Sequence, residues 1–280
     1  MLKMIFSRMV GGLGNQIFQT AACLKYRNDK EKVIISFLGD IHIPKRINCL
    51  NSIFEKPNWL YYDNSRDLNK IKKFVARTSA SLRFGSYLPF LSINDRNFSS
   101  RDYFYSQKKI LFLDGYFNRQ WSYSTLQNTF SQLKLRPIQL NKEHLQICNN
   151  DVVIHLRGND FLKISDLNIC KLEYYKKSIN HAISKGYSSF KLICEDQKYG
   201  TEFLKEIKKC FIDLKISMLD SDTIKNDFNL IRSSKFAILS NSTFSWWASF
   251  LSITKKEFIA PEYFSLKQKR IILPNEYIVS

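Results

Sequence analysis

The chain lacks the spacings that bind metals or staple a fold. Its six cysteines, Cys23, Cys49, Cys148, Cys170, Cys194 and Cys210, form no CxxC pair and no tight framework. That excludes a zinc ribbon or a disulfide scaffold and leaves reduced, buried thiols as the expectation. The four histidines, His42, His144, His155 and His181, fall in no HExxH or other ligand spacing, so no metal is expected. Long hydrophobic runs are missing too. The most apolar stretch, FSWWASFLSI (244–253), is about half a membrane span. No apolar leader precedes the glycines at 11, 12 and 14, so a soluble or peripheral protein is expected. Internal repeats, low-complexity segments and nucleic-acid-binding motifs are absent as well.

What is present is length, a core and positive charge. The 280 residues can form one large domain or two modest ones, and 44% hydrophobic content supports a real core. The net charge of +18, from 43 basic and 25 acidic residues, favours anionic partners such as a nucleotide or an acidic membrane surface. The basic residues are scattered in pairs rather than massed in a tail.

Regular alternation marks the second half. VVIHL (152–156), FKLICED (190–196), KISMLD (215–220), FAILS (236–240) and EFIAP (257–261) read as strands, the last of them closing the chain's regular structure. Helical spacing fills the gaps, over 172–186 (closed by Gly186), near 198–210, over 222–234 and in STFSWWASFLS. Strands alternating with helices imply right-handed crossovers and a parallel, doubly wound sheet. Ligands of such sheets lie beyond the carboxyl ends of the strands. That rule selects Arg157–Asp160, Glu195-Asp196, Asp220 and Asn241–Ser245. The first half opens with a βαβ pattern, MLKMIFSRMV, a helix, then KVIISF (32–37), and returns to a strand at ILFLDGYF (110–117) and a helix near 124–147. A boundary is expected near 140–150.

Three places, and an acid pair between the second and the third, carry chemistry. In the first, Gly12-Leu13-Gly14-Asn15-Gln16-Ile17 imitates a dinucleotide loop, but isoleucine stands where a third glycine should be, and Asp40 lies beyond the second strand. Such a loop either turns its amides to a ligand or only punctuates the chain. The second is His155-Leu156-Arg157-Gly158-Asn159-Asp160, at a strand end. Arg157 there either forks onto a phosphate or closes the strand with a salt bridge to Asp160. Glu195-Asp196 ends the next strand, where an acid either accepts from a base edge or sugar hydroxyl or is simply solvated. The third, Ser240 to Ser245, starts a helix and either caps it or holds an anion. Trp246 and Trp247 read as core.

Taken together, GGLGNQIFQ, HLRxxD, the acid pair and SNSTFSWWASFL, with LDGYF (113–117) and KLEYY (171–175), resemble the bacterial α-1,2-fucosyltransferase family. The resemblance spans nearly the whole chain apart from about 40–107. It implies an α/β, GT-B architecture of two Rossmann-like domains facing a central cleft, with an acceptor-side domain over 1–145 and a GDP-fucose-binding domain over 146–280. It implies inverting transfer of L-fucose from GDP-β-L-fucose to a galactose 2-hydroxyl, with no cofactor and no metal. Arg157 would grip the β-phosphate, His155 line the nucleotide pocket and Asp196 read guanine. Asn241, Ser242, Thr243, Phe244 and Ser245 would hold the diphosphate and base region. Gly14, Asn15 and Gln16 would reach the donor, with Asn15 near the reacting centre. Asp160, or else Asp166, would serve as base, unless the transition state is loose enough to need none.

One departure stands out. The family commonly has a second arginine followed by Gly-Asp, where this chain has Gly158-Asn159. Restoring it by Gly158→Arg would tighten donor binding if the backbone tolerates the side chain. The rival readings are a related fucosyltransferase of another linkage and an inactive sugar-nucleotide or glycan-binding protein. The resemblance also points to a cytoplasmic enzyme extending a lipid-linked, galactose-terminated surface glycan (O-antigen or capsule). The basic stretch 69–84 would either lean on the anionic inner face of the membrane or form a solvated helix face.

Overall fold

The computed structural model describes residues 4–36, 50–63, 90–95, 98, 109–119, 121–158, 164–167, 169–220, 223–252, 254 and 257–279. The basic stretch 69–84, Asn159 and Asp160 lie outside them. Two compact units make up the chain, Met1–Arg136 and Pro137–Ser280, so the division falls ahead of the expected 145/146 boundary.

In the first unit, β1 (Met4–Arg8), α1 (Leu13–Tyr26) and β2 (Lys32–Ser36) are followed by the short α2 (Leu50–Ile53), β3 (Leu60–Asp63), β4 (Phe90–Ile93), β5 (Ile110–Leu113) and α3 (Tyr123–Phe130). The sheet is parallel throughout, in the order β3-β2-β1-β5-β4. Ile5 pairs with Val33 on one side and Leu111 on the other, and all three are fully buried. Ile17, Phe18, Ala21 and Ala22 of α1 are fully buried too, as the helical spacing of these residues requires.

In the second unit, α4 (Lys142–Asn150) leads into β6 (Val152–Leu156), α5 (Leu172–Ser184), β7 (Ser189–Cys194), α6 (Gln197–Cys210), β8 (Lys215–Met218), α7 (Ile224–Ser233), β9 (Phe236–Ile238) and α8 (Thr243–Phe250). Then come β10 (Glu257–Ala260), β11 (Tyr263–Ser265), β12 (Gln268–Lys269) and β13 (Glu276–Ile278). Six parallel strands run in the order β13-β10-β9-β6-β7-β8. The central β6 is buried along its whole length. Its core joins Val152, Ile154 and Leu156 to Tyr175, Ile179, Phe190, Leu192, Phe236 and Ile238. Trp246 and Trp247 are core residues, as read from the sequence.

Three expectations need correction. The helix near 124–147 is two helices, each with its own cap: Ser122 Oγ accepts from Thr125 N at 3.1 Å, and Asn141 Oδ1 from His144 N at 2.7 Å. Pro137 cannot continue a helix and biases Arg136 away from helical geometry, so Arg136 N instead donates to Ile53 O at 2.8 Å. The strand expected over 110–117 ends at Leu113, because Phe117 has φ +52° and the chain turns. The strand at 257–261 is not the last. A β11–β12 hairpin and β13 follow it, too short for any periodicity to announce.

Candidate active site

The strand order of the second unit reverses between β6 and β9. The chain runs from β6 through β7 to β8 on one side, and from β9 through β10 to β13 on the other. A crevice beyond the carboxyl ends of β6 and β9 follows from that reversal. Two neighbouring strand ends furnish it, His155–Gly158 and Ser240–Phe244.

His155 is buried, and its Nδ1 lies 2.8 Å from Ser240 Oγ, joining the two strand ends. Its ring packs on Phe244, centroids 5.5 Å apart, and its carbonyl accepts from Tyr175 Oη at 3.3 Å. Burial, and then the Arg157 charge, push its pKa down from 6.5 to about 3. The imidazole is therefore neutral at physiological pH. It organises the crevice and carries no charge to it.

Arg157 follows on the same strand end, with its side chain 17% exposed. Its Nη1 donates to Glu195 Oε2 at 2.7 Å, and Glu195 itself is 67% exposed. Among the described residues, the acid next to Arg157 is Glu195, from the end of β7. An ion pair with one partner so exposed is worth little net free energy, so an incoming anion can compete for the guanidinium.

Asp196, expected to read a base, is the N-cap of α6: its Oδ1 accepts from Tyr199 N at 3.0 Å. The same turn explains Gly158. A Cβ at Gly158 would come within 2.8 Å of Tyr199 Cδ1 and 3.2 Å of Asp196 Cβ. Any larger residue there would have to displace the Tyr199 ring, and the backbone is not left-handed.

The β9–α8 turn divides its labour. Ser242 caps α8, its Oγ accepting from Phe244 N at 3.3 Å. Asn241 Nδ2 donates to Leu167 O at 2.8 Å and Phe264 O at 2.9 Å, tying the turn to the β6–α5 connection and to β11. Ser245 is buried, and its Oγ donates to Ser242 O at 3.3 Å. Thr243 and Phe244 are half-buried at the helix start. Asn241, Ser242 and Ser245 thus shape the turn, while Thr243, Phe244 and the first amides of α8 border the crevice.

In the first unit the glycine loop opens α1, as expected. Gly11 takes φ +78°, and a Cβ there would lie 2.5 Å from Asn15 Nδ2. Gly12 is the N-cap and offers no side chain. Gln16 is buried, and its Nε2 donates to Gly11 O at 3.2 Å. It braces the loop from beneath. Asn15 is half-buried and Gly14 buried. The second candidate base, Asp166, forms an ion pair with Lys267 at 2.8 Å.

Sequence reasoning reached Glu195 and Ser240 only as members of the Glu195-Asp196 pair and the Ser240–Ser245 turn, and it passed over Tyr199. Ser240 was signalled as a hydroxyl one residue past an apolar run. The Tyr199–Gly158 contact had no local signal, since it joins the ends of different strands. Asp220, also selected by the strand-end rule, sits exposed beyond the edge strand β8, away from the reversal. A cavity of about 420 Å³, lined by Leu172, Tyr199, Glu202, Phe203, Lys205 and Glu206, holds none of the expected residues.

Two parallel α/β units, one with an arginine and a capped helix start at its strand-order reversal, define the class of doubly wound proteins whose ligands lie at such a reversal. The comparisons narrow it. The model of Glycosyl transferase family 11 matches residues 85–271, and the chain belongs to that family. It is 25% identical to an alpha-1,2-colitosyltransferase of Escherichia coli, over 89% of this chain and 88% of that protein. It is 22% identical to the O-antigen biosynthesis glycosyltransferase WbnK of Escherichia coli, over 89% and 90%. Among solved structures, POFUT1 in complex with GDP superposes with TM-score 0.52 at 11% identity, covering 92% of this chain and 98% of that one. An Arabidopsis thaliana FUT1 mutant in complex with GDP superposes with TM-score 0.53 at 14% identity, covering 94% and 70%. The fold is that of the GT-B glycosyltransferases. No described helix is long and apolar enough to cross a membrane.

Proposed function

We propose that this glycosyltransferase moves L-fucose from GDP-β-L-fucose to the 2-hydroxyl of a terminal galactose, with inversion and without a metal. The observation that carries the reading is Arg157, held by Glu195 at the end of β6, the strand that pairs with β9, after which α8 opens. Departing GDP gains negative charge, and a guanidinium with helix-terminal amides stabilises charge developing there. The β-phosphate exchanges with Glu195 for the Arg157 fork. Neutral His155 fixes the crevice through Ser240 and lends its face, with Phe244, to the nucleoside. Thr243 and the amides of α8 receive the diphosphate, on a turn that Asn241, Ser242 and Ser245 shape. Asp196 reads guanine with the carboxylate oxygen not used in capping. Gly14, Asn15 and Gln16, in the first turn of α1, are assigned to the fucosyl end, with Asn15 as the polar group for the reacting centre. Asp160 is the first candidate base and Asp166 the second, since an exposed ion pair with Lys267 leaves its carboxylate open to exchange.

The similarity to a colitosyltransferase favours a second reading of the donor. Colitose is L-fucose lacking the 3-hydroxyl, so the two differ by a single polar contact. The likeness to WbnK supports an O-antigen-type glycan as acceptor. An acceptor on a lipid carrier suits a protein of net charge +18 working at the cytoplasmic membrane face. GDP release from GDP-fucose and GDP-colitose with galactose-terminated acceptors, followed by NMR of the linkage, tests this. Release only with GDP-colitose would replace fucose as donor. A protein that neither binds nor releases GDP would overturn the reading.

A further inference from the structure

Outside the donor crevice, one turn of the first unit is built with unusual care. It follows β5, the neighbour of β1 where that sheet's order turns back. Asp95 Oδ2 accepts from Tyr116 N at 3.0 Å, and Oδ1 from Phe117 N at 2.6 Å. A Cβ at Gly115 would come within 2.7 Å of that carboxylate, so only glycine fits. Phe117 holds φ +52°, a left-handed conformation rare for a bulky side chain. It is kept there by burial, by packing against Phe98 with centroids 5.1 Å apart, and by Trp121 Nε1 donating to its carbonyl at 2.6 Å. Gln19 Nε2 donates to Gly115 O at 3.1 Å and Val10 O at 3.3 Å, binding the turn to the glycine loop. Strain held in place this firmly is characteristic of functional positions.

The product of these constraints is Tyr116, held outward and 44% exposed. Beside it, Arg8 Nη2 meets Asp114 Oδ1 at 3.3 Å, each side chain about one-third exposed (35% and 31%). The chemistry of the turn selects its ligand. The amides of Tyr116 and Phe117 are taken by Asp95, and Asp114 N donates to Ile93 O at 2.9 Å. Among the described residues, Asp95 and Asp114 are balanced by Arg8 and the exposed Arg119, so the turn offers an anion neither those amides nor net positive charge. Phosphate is disfavoured. A neutral ring with an apolar C–H face and several hydroxyls fits an aromatic face beside a guanidinium–carboxylate pair, which offers both donors and acceptors.

We infer that the turn Asp114–Phe117 is a subsite for a neutral glycan ring of the acceptor, with Tyr116 as its platform and Asp95 as its positioning residue. The inference rests on the glycosyl-transfer reading and names the acceptor element within it. Steady-state kinetics of Tyr116→Ala, Tyr116→Phe and Asp95→Asn test it, with GDP affinity by calorimetry and the thermal midpoint measured in parallel. Tyr116→Ala should raise acceptor KM about tenfold while donor KM and GDP affinity hold within about twofold. Tyr116→Phe should stay near wild type. Asp95→Asn, which keeps one acceptor oxygen, should raise acceptor KM in the same direction. Should Asp95→Asn fail to fold, the Tyr116 pair still decides. Unchanged acceptor KM in Tyr116→Ala, or an equal rise in donor KM, overturns the subsite. Saturation-transfer NMR of a galactose-terminated oligosaccharide separates the two ideas. Wild-type protein that binds GDP but transfers no saturation to the glycan loses the subsite and keeps the donor reading. Glycan contact that Tyr116→Ala abolishes, in a protein that does not bind GDP, loses the donor reading and keeps the subsite.

Discussion

In the proposed reading Arg157 carries the side-chain positive charge at the crevice, and its replacement should be severe. A charge-assisted hydrogen bond is worth about 1.5–3 kcal/mol net, so Arg157→Ala should lower turnover by about two orders of magnitude. Arg157→Lys should recover little, because an ammonium cannot reproduce the fork. Near-normal turnover in Arg157→Ala would show that the phosphate charge is handled elsewhere. At the next residue the structure reverses an expectation. Gly158→Arg cannot simply restore a second guanidinium, since its Cβ would meet the Tyr199 ring at 2.8 Å. Loss of stability, not tighter donor binding, is expected, and a thermal midpoint at or above wild type would contradict it. His155 gives a pH signature. Its folded pKa, about 3, lies below the ordinary 6.5. Its contribution to stability is therefore complete above pH 6.5 and declines as pH falls toward 3. Denaturant midpoints of wild type and His155→Asn, followed from pH 7 to 4, should converge on the acid side. Parallel curves would rule out His155 as the buried neutral group responsible.

Capping and sealing decide the elements. Because Asp196 Oδ1 caps α6, Asp196→Ala should cost about 1 kcal/mol of stability whatever the residue does for the donor. Asp196→Asn keeps a capping oxygen and removes the carboxylate. It should therefore spare stability yet narrow the preference for GDP over UDP in competition assays. If Asp196→Asn discriminates like wild type, the residue is a cap and nothing more. The last strand is sealed differently. Arg270 and Glu276 pair with both side chains essentially buried (2% and 0% exposed), and Glu276 Oε2 also accepts from Leu273 N at 2.8 Å. Removing one member of such a pair strands the other charge, at a cost of about 3–5 kcal/mol. Urea unfolding of Glu276→Gln should register a loss of that size. A change within experimental error would mean that the pair contributes nothing to holding β13.

For the whole molecule, the reading of donor chemistry predicts the response to ligand and chelator. GDP should raise the thermal midpoint, by the equivalent of about 2.7 kcal/mol at a hundred times its dissociation constant, and UDP should do so far less. Turnover should be undiminished in excess EDTA, because a guanidinium and helix-terminal amides are assigned the leaving-group charge. Activity lost to chelator and restored by manganese would contradict that assignment.

The amino-acid sequence alone specifies the parallel α/β class, the βαβ start, the order of strands and helices in the second unit as far as β10, and the family. Apolar runs and helical spacing are local signals, and HLRxxD and SNSTFSWW lie on single strand-to-helix turns. It placed the His155–Arg157 segment and the Ser240–Ser245 turn at strand ends, but not beside each other. Their adjacency depends on β9 pairing with β6, a contact between residues distant in the chain. Tertiary structure also decided which acid meets Arg157, why residue 158 is glycine, and which polar side chains of the turns are spent on bracing. Each of these turns on a neighbour brought in from another element. A sequence shows which groups are polar, but not which of them folding has already paired.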